Sequence, residues 1–262
     1  VLFKSKLSAA AYVRKTRLIV GLDFTADLAG KSAAGIRSEQ DRIEREALKV
    51  ISQTAEYTVA YKLNRHIVLP LGLFDRIPKI VNTIHDNGLL AIMDCKINDI
   101  GDTNRWIAKY YFDAGFDAVI ANPFVGWKGG LDSVFDEASG RGRGVITLCY
   151  MSHPAADEGY GLSILTDEKK KNHEPLYIEF AKRAVKWGAD GVIVGATYPD
   201  KIREVRKILG ADIPILSPGV GAQGGSAHEA IQAGASFVIA ARSVFAAPDP
   251  AAAARALAEE AK

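Results

Sequence analysis

Eight short apolar runs punctuate the chain, at residues 17–22, 58–63, 89–95, 118–121, 145–150, 191–194, 213–217 and 237–240. They are rich in Val, Ile and Leu and mostly continuous rather than alternating. Continuous runs of that kind suit parallel strands buried on both faces. The segments between them read as helices. Ser38 with Asp41 three residues on predicts a capping box at a helix start. Ile43, Ala47, Leu48, Ile51 and Ala55 then share one helical face. Gly88, Gly115, Gly188 and Gly234 fall where helices should stop before the next strand. Eight alternating strand–helix units with no low-complexity linker predict an α/β fold, a single (β/α)8 TIM barrel with its active site at the C-terminal ends of the strands. The expected domain spans residues 1–262, an ordinary length for one such barrel. The alanine-rich segment 246–262 predicts a last helix that closes the ring. Residues 1–16 place Lys4, Lys6, Arg14 and Lys15 around a short apolar run. That pattern predicts a helix covering the barrel bottom rather than a signal peptide.

Composition removes several function classes. The net charge of +2 leaves no basic surplus for nucleic-acid binding, and the run Glu168-Lys169-Lys170-Lys171 reads as the solvated start of a helix. No apolar run approaches the ~20 residues needed to cross a bilayer. The two cysteines, Cys95 and Cys149, lie inside strand runs, which predicts reduced, buried thiols rather than a disulfide framework. A cytoplasmic protein is expected.

Charge gathers at the ends of three successive strand runs. Asp23 ends the first, Lys62 ends the second, and Asp94 and Lys96 end the third. Strand side chains alternate, so Asp94 and Lys96 share a face while Cys95 takes the other. Adjacent barrel strands would then carry Asp23, Lys62, Asp94 and Lys96 as a cluster of alternating sign, with Asp99 close behind. Buried ions are costly to hold, and active sites are where such costs are accepted. After the seventh run, Gly219, Gly221, Gly224 and Gly225 let backbone N–H groups approach an anion. A helix expected near Ser226 turns its positive end to the same place, and Arg242 follows the eighth run. The stretch from Met151 to Asn172, with Ser152, His153, Pro154, Asp157, Gly159 and Gly161, is the longest without a strand pattern and predicts a covering loop.

These residues carry a resemblance. Asp94, Lys96, Asp99, Ile100 and Thr103 match Asp-x-Lys-x-x-Asp-Ile-x-x-Thr, a pattern that resembles the signature of the orotidine 5′-monophosphate decarboxylases. Asp23, Lys62, the Met151-Ser152-His153-Pro154 loop, the 217–225 loop and Arg242 extend the likeness from the first strand to the eighth. The family often has Gly before the phosphate arginine; here it is Ala241. The resemblance implies conversion of orotidine 5′-monophosphate to UMP and CO2, the last step of de novo UMP synthesis, with no metal and no cofactor. It implies Lys96 as proton donor to C6 and Asp94 beside the substrate carboxylate. Lys62 and Asp99 would hold the array and contact ribose hydroxyls, and Asp23 would bind ribose. Ser152 would read the pyrimidine edge, and Gln223 would bridge base and phosphate. Pro218, Val220, Gly221, Ala241 and Arg242 would complete the substrate site. It also implies a homodimer in which Asp99, Ile100 and Thr103 enter the partner's site. No role is expected for His66 or His153. Two other readings compete. A Mg2+-dependent sugar-phosphate decarboxylase of the same broad family would carry Glu where Lys62 stands. A phosphate-ligand binding barrel would have no need of Asp94 or Lys96.

Overall fold

The computed structural model describes residues 2–167 and 172–262. The eight runs form eight parallel strands that close into a barrel: β1 (Leu18–Leu22), β2 (Ala60–Asn64), β3 (Leu90–Ile97), β4 (Ala118–Ala121), β5 (Gly144–Tyr150), β8 (Gly191–Val194), β9 (Ile215–Pro218) and β10 (Phe237–Ala240). They neighbour one another in chain order, and β10 pairs with β1. The helices are α1 (Phe3–Arg14), α2 (Ala33–Thr54), α3 (Arg65–Leu71), α4 (Ile77–Asp86), α5 (Gly101–Asp113), α6 (Asp132–Ser139), α7 (Ala156–Tyr160), α8 (Leu176–Trp187), α9 (Pro199–Leu209), α10 (Ala227–Gln232), α11 (Arg242–Phe245) and α12 (Pro250–Glu260). Gly88, Gly115, Gly188 and Gly234 all take positive φ at the expected stops. No helix among the described residues is long and apolar enough to cross a membrane.

Strand alternation divides the core into two layers. Ile19, Ile92, Ile120, Ile146, Leu148, Ile193, Leu216 and Ile239 pack together in one cluster. Their neighbours Leu18, Val20, Leu63, Ala91 and Met93 pack in the other, with helix residues such as Ile43, Ile80 and Ala108. Burying one such aliphatic side chain contributes roughly 1.5–3 kcal/mol. The inner cluster also contains Phe3 and Leu7 of α1, so this helix closes one end of the barrel as expected. Gly144 at the start of β5 makes room for it, since a Cβ there would lie 2.6 Å from Cβ of Phe3. Cys95 and Cys149 are buried and free.

Two local expectations are corrected. The second helix starts at Ala33, capped by the Ser32 hydroxyl accepting from the Gly35 N–H, so Ser38 and Asp41 lie inside it. Its first turn, Ala-Ala-Gly-Ile, has no clear apolar face, which is why periodicity alone placed the start too late. The covering loop is not without strands. It holds α7 and an antiparallel hairpin of β6 (Ser163–Asp167) and β7 (Asn172–Pro175). The expected helix start at Glu168–Lys171 lies outside the described residues.

Candidate active site

At the C-terminal rim of the barrel, β2 and β3 exchange inward aliphatic residues for charged ones. Lys62 is 6% exposed in its side chain and Asp94 11%. The Lys62 ammonium donates to Asp94 Oδ2 at 3.1 Å and to Asp23 Oδ1, just past β1, at 3.4 Å. The Lys96 ammonium donates to Asp94 Oδ1 at 2.5 Å. Asp23, Lys62, Asp94 and Lys96 therefore form an unbroken chain of alternating charge. Burial alone would disfavour the charged form of Lys62, but the carboxylates of Asp94 and Asp23 outweigh it and raise its pKa. Burial likewise pushes the Asp94 carboxyl up, and the two ammonium groups bring it below its ordinary value. Both effects keep the pair ionised.

Strand alternation explains only part of this contact. Met93 pairs with Val119 but Ile97 pairs with Ala121, so four steps along β3 face two along β4. The surplus forms a bulge, and within it Lys96 takes φ +48°, a left-handed conformation uncommon for a non-glycine residue. Such backbone costs about 1–3 kcal/mol and persists where the surrounding structure over-determines it. Bulges re-aim side chains next to active sites; this one coincides with the Lys96–Asp94 contact.

The array lines one wall of a cavity of about 440 Å³. Ile120, Leu148, Ile193 and Ile239, the last inward residues of four strands, supply apolar surface. Ser152, Pro218, Gly219, Val220, Gln223, Ala241 and Arg242 line other parts of it. Gly219 has φ +98°, and a Cβ there would come within 3.0 Å of Ser152 Cβ and 2.9 Å of Gln223 Oε1. The bare glycine leaves room for both polar side chains to pack against the loop backbone. Gly221 lies on the exposed turn beside Ser243 rather than on the cavity wall. Ser226 caps α10 by accepting from the Glu229 N–H. Arg242 is exposed at the cavity's edge.

Asp99, Ile100 and Thr103 do not join this cavity in their own chain. Asp99 and Ile100 lie on the exposed turn from β3 into α5, with Ile100 71% exposed, and Thr103 is exposed in the first turn of α5. Thr25, Asn64, His66 and Met151 also line the cavity and were not expected to. His66 is exposed and lies at the cavity all the same. Inward alternation at the strand tops could have identified the four aliphatic residues. Nothing in the local sequence marks Thr25 or His66, because their approach depends on how a loop and a helix start fold back over the rim.

Where a metal-binding relative would need an acid, this site has the Lys62 ammonium between two carboxylates, an arrangement that repels a divalent cation. Among the described residues no group of three or more His, Cys, Asp or Glu side chains is placed to hold a metal ion. The fold and cavity define a (β/α)8-barrel enzyme with a charge array in one wall and a glycine loop with an arginine in another. Comparison with known proteins narrows this. The family model described as Orotidine 5'-phosphate decarboxylase / HUMPS family matches residues 16–257, and the chain belongs to that family. It is 39% identical over 221 residues to the orotidine 5'-phosphate decarboxylase of Methanosarcina mazei, covering 84% of this chain and 91% of that one. It is 38% identical over 218 residues to the Pyrococcus abyssi protein of the same name, covering 83% and 93%. The solved structure of Leishmania donovani OMP decarboxylase superposes with a TM-score of 0.81 at 25% identity, covering 100% of this chain and 97% of that one.

Proposed function

We propose that this chain decarboxylates orotidine 5′-monophosphate to UMP and CO2 using its own side chains. The observation that carries the reading is the Asp23–Lys62–Asp94–Lys96 array opening on a cavity with Gly219, Val220, Gln223 and Arg242 in another wall. Loss of CO2 leaves an electron pair on pyrimidine C6. A pre-set ammonium stabilises that charge with little reorganisation, and Lys96 then delivers its proton to C6. Asp94 stands beside the substrate carboxylate. At ~4 Å and an effective dielectric of ~20, two like charges interact by about 4 kcal/mol, and release of that repulsion as CO2 departs is worth roughly a thousandfold in rate. Lys62 holds Asp94 ionised. Asp23 and Lys62 face the ribose, Ser152 and Gln223 the base, and Pro218, Val220, Ala241 and Arg242 the phosphate; Gly221, off the cavity wall with its N–H bonded to the Gly225 carbonyl, shapes the loop instead.

The same reading makes the enzyme a homodimer working in the cytoplasm. Ile100 is exposed on the β3–α5 turn, and Phe74, Trp106 and Tyr110 form an exposed aromatic patch. Phe74 and Tyr110 meet edge to face at 6.0 Å, and Trp106 and Tyr110 lie 5.5 Å apart. A patch of this kind suits a self-complementary interface, through which Asp99, Ile100 and Thr103 of each chain complete the other's site.

The test is the loss of orotidine monophosphate absorbance with purified protein in EDTA. Turnover unaffected by EDTA is expected. Lys96→Ala is expected to lower it by more than about a thousandfold while UMP still binds. Turnover that disappears with EDTA favours a metal-dependent sugar-phosphate decarboxylase, and wild-type turnover in Lys96→Ala removes the proton-donor role.

A further inference from the structure

Asn104 stands in the first turn of α5 with no exposed surface. Its amide spends its hydrogen bonds away from its own helix. The Oδ1 accepts the Asp99 N–H at 3.0 Å, and the Nδ2 donates to the Asp99 carbonyl at 2.5 Å and to the Gly130 carbonyl at 3.0 Å. Both backbone groups of one residue are thus held by one side chain. A helix-capping side chain would bond to the free N–H groups of the first turn; this one reaches back past the helix start. The clamp is anchored on the far side as well. Ser133 Oγ donates to the Gly101 carbonyl at 2.6 Å, and a Cβ on Gly101 would lie 3.2 Å from the Gly129 backbone. The Asp99 side chain is exposed, while its backbone is linked through the Asn104 amide to Gly130 of the β4–α6 loop.

We infer that Asn104 is a positioning residue that holds Asp99 in the pose in which it enters the active site of the partner subunit. The inference rests on the shared-site reading proposed above. A buried amide left without partners is costly, so these three bonds hold the Asp99 backbone firmly in one pose. Misplacing a reacting or contact group by about 1 Å can cost on the order of a hundredfold in rate. Asn104→Ala homodimers are therefore expected to lose about 10- to 100-fold in kcat.

Mixed dimers test where that loss is felt. Subunits bearing different affinity tags are co-expressed, and only dimers carrying both tags are assayed. In a dimer of Lys96→Ala with Asn104→Ala, the Asn104→Ala subunit keeps its Lys96 and receives Asp99 from a subunit whose Asn104 is intact. About half the wild-type turnover per dimer is expected, well above either homodimer. Turnover no better than that of the Asn104→Ala homodimer places the effect within one chain and overturns the inference. The control pairs Lys96→Ala with Asp99→Asn. If the control regains activity and the Asn104 pair does not, only the inference fails; if neither does, the shared-site reading fails and the inference with it. Asn104→Ser, which leaves a smaller void, is run in parallel, so that a folding defect in the alanine variant does not decide the outcome.

Discussion

Lys62 shows how a single buried charge is held. Its ammonium has lost most of its water and gained two carboxylates, and removal of one partner from a buried pair typically costs about 3–5 kcal/mol. Lys62→Met should lower stability by about that amount, measured as the denaturant midpoint at a series of pH values. The signs follow from the two shifts. The Asp94 pKa is lowered on folding, so its stabilisation is present above the ordinary carboxylate range and is lost as pH falls through the folded value. The Lys62 pKa is raised, so its stabilisation is present below the ordinary lysine range and is lost as pH rises through the folded value. Wild-type stability should therefore plateau between those limits, and Lys62→Met should flatten the acid limb. A limb of unchanged slope would remove Lys62 as the main partner of Asp94. Arg242 lies at the opposite extreme, an exposed guanidinium at the edge of the cavity. Hydrogen bonds to a charged group are worth about 1.5–3 kcal/mol, so Arg242→Ala should weaken UMP binding roughly 10- to 100-fold. Calorimetric titration with uridine should show no comparable loss; an equal loss would contradict the phosphate role.

Between elements, the departure at Ala241 has a counterpart on the neighbouring strand. Ala241 follows β10, β10 pairs with β1, and a Cβ added at Gly21 of β1 would lie 2.8 Å from Cβ of Ala241. The methyl at position 241 is accommodated because position 21 has none. Gly21→Ala should then overpack the rim and cost about 1–3 kcal/mol, and Ala241→Gly in the same chain should recover most of it. Thermal melts of the two single variants and the double variant check this as a cycle; additive effects would show that the two positions are not coupled. The β3 bulge belongs to the same scale. The alternation of Asp94, Cys95 and Lys96 is readable in the chain, but the left-handed Lys96 arises from β3 pairing with β4 out of step, which no local pattern announces.

For the whole molecule, the proposed dimer ties activity to concentration. Trp106 is 47% exposed within the aromatic patch. Trp106→Glu places a charge there and should shift sedimentation toward the monomer, with turnover per subunit falling on dilution. A monomer with undiminished turnover would remove the shared site. Much of the architecture was legible in the chain. Strand runs buried on both faces must be apolar throughout, so the eight strands could be read to within two residues at every end, and the charged positions that interrupt the inward face stood out against that background. Ser32 as a cap, the hairpin after β5 and the approach of His66 were not legible, because each depends on packing between segments and leaves no periodic trace. Sequence alone determined which residues carry charge and on which strands, since alternation and burial act within a few residues. Tertiary structure decided that Lys62 lies between two carboxylates, that Lys96 bends back to Asp94 and that Asp99 lies outside its own chain's cavity, since distances across a barrel follow from register, bulges and closure.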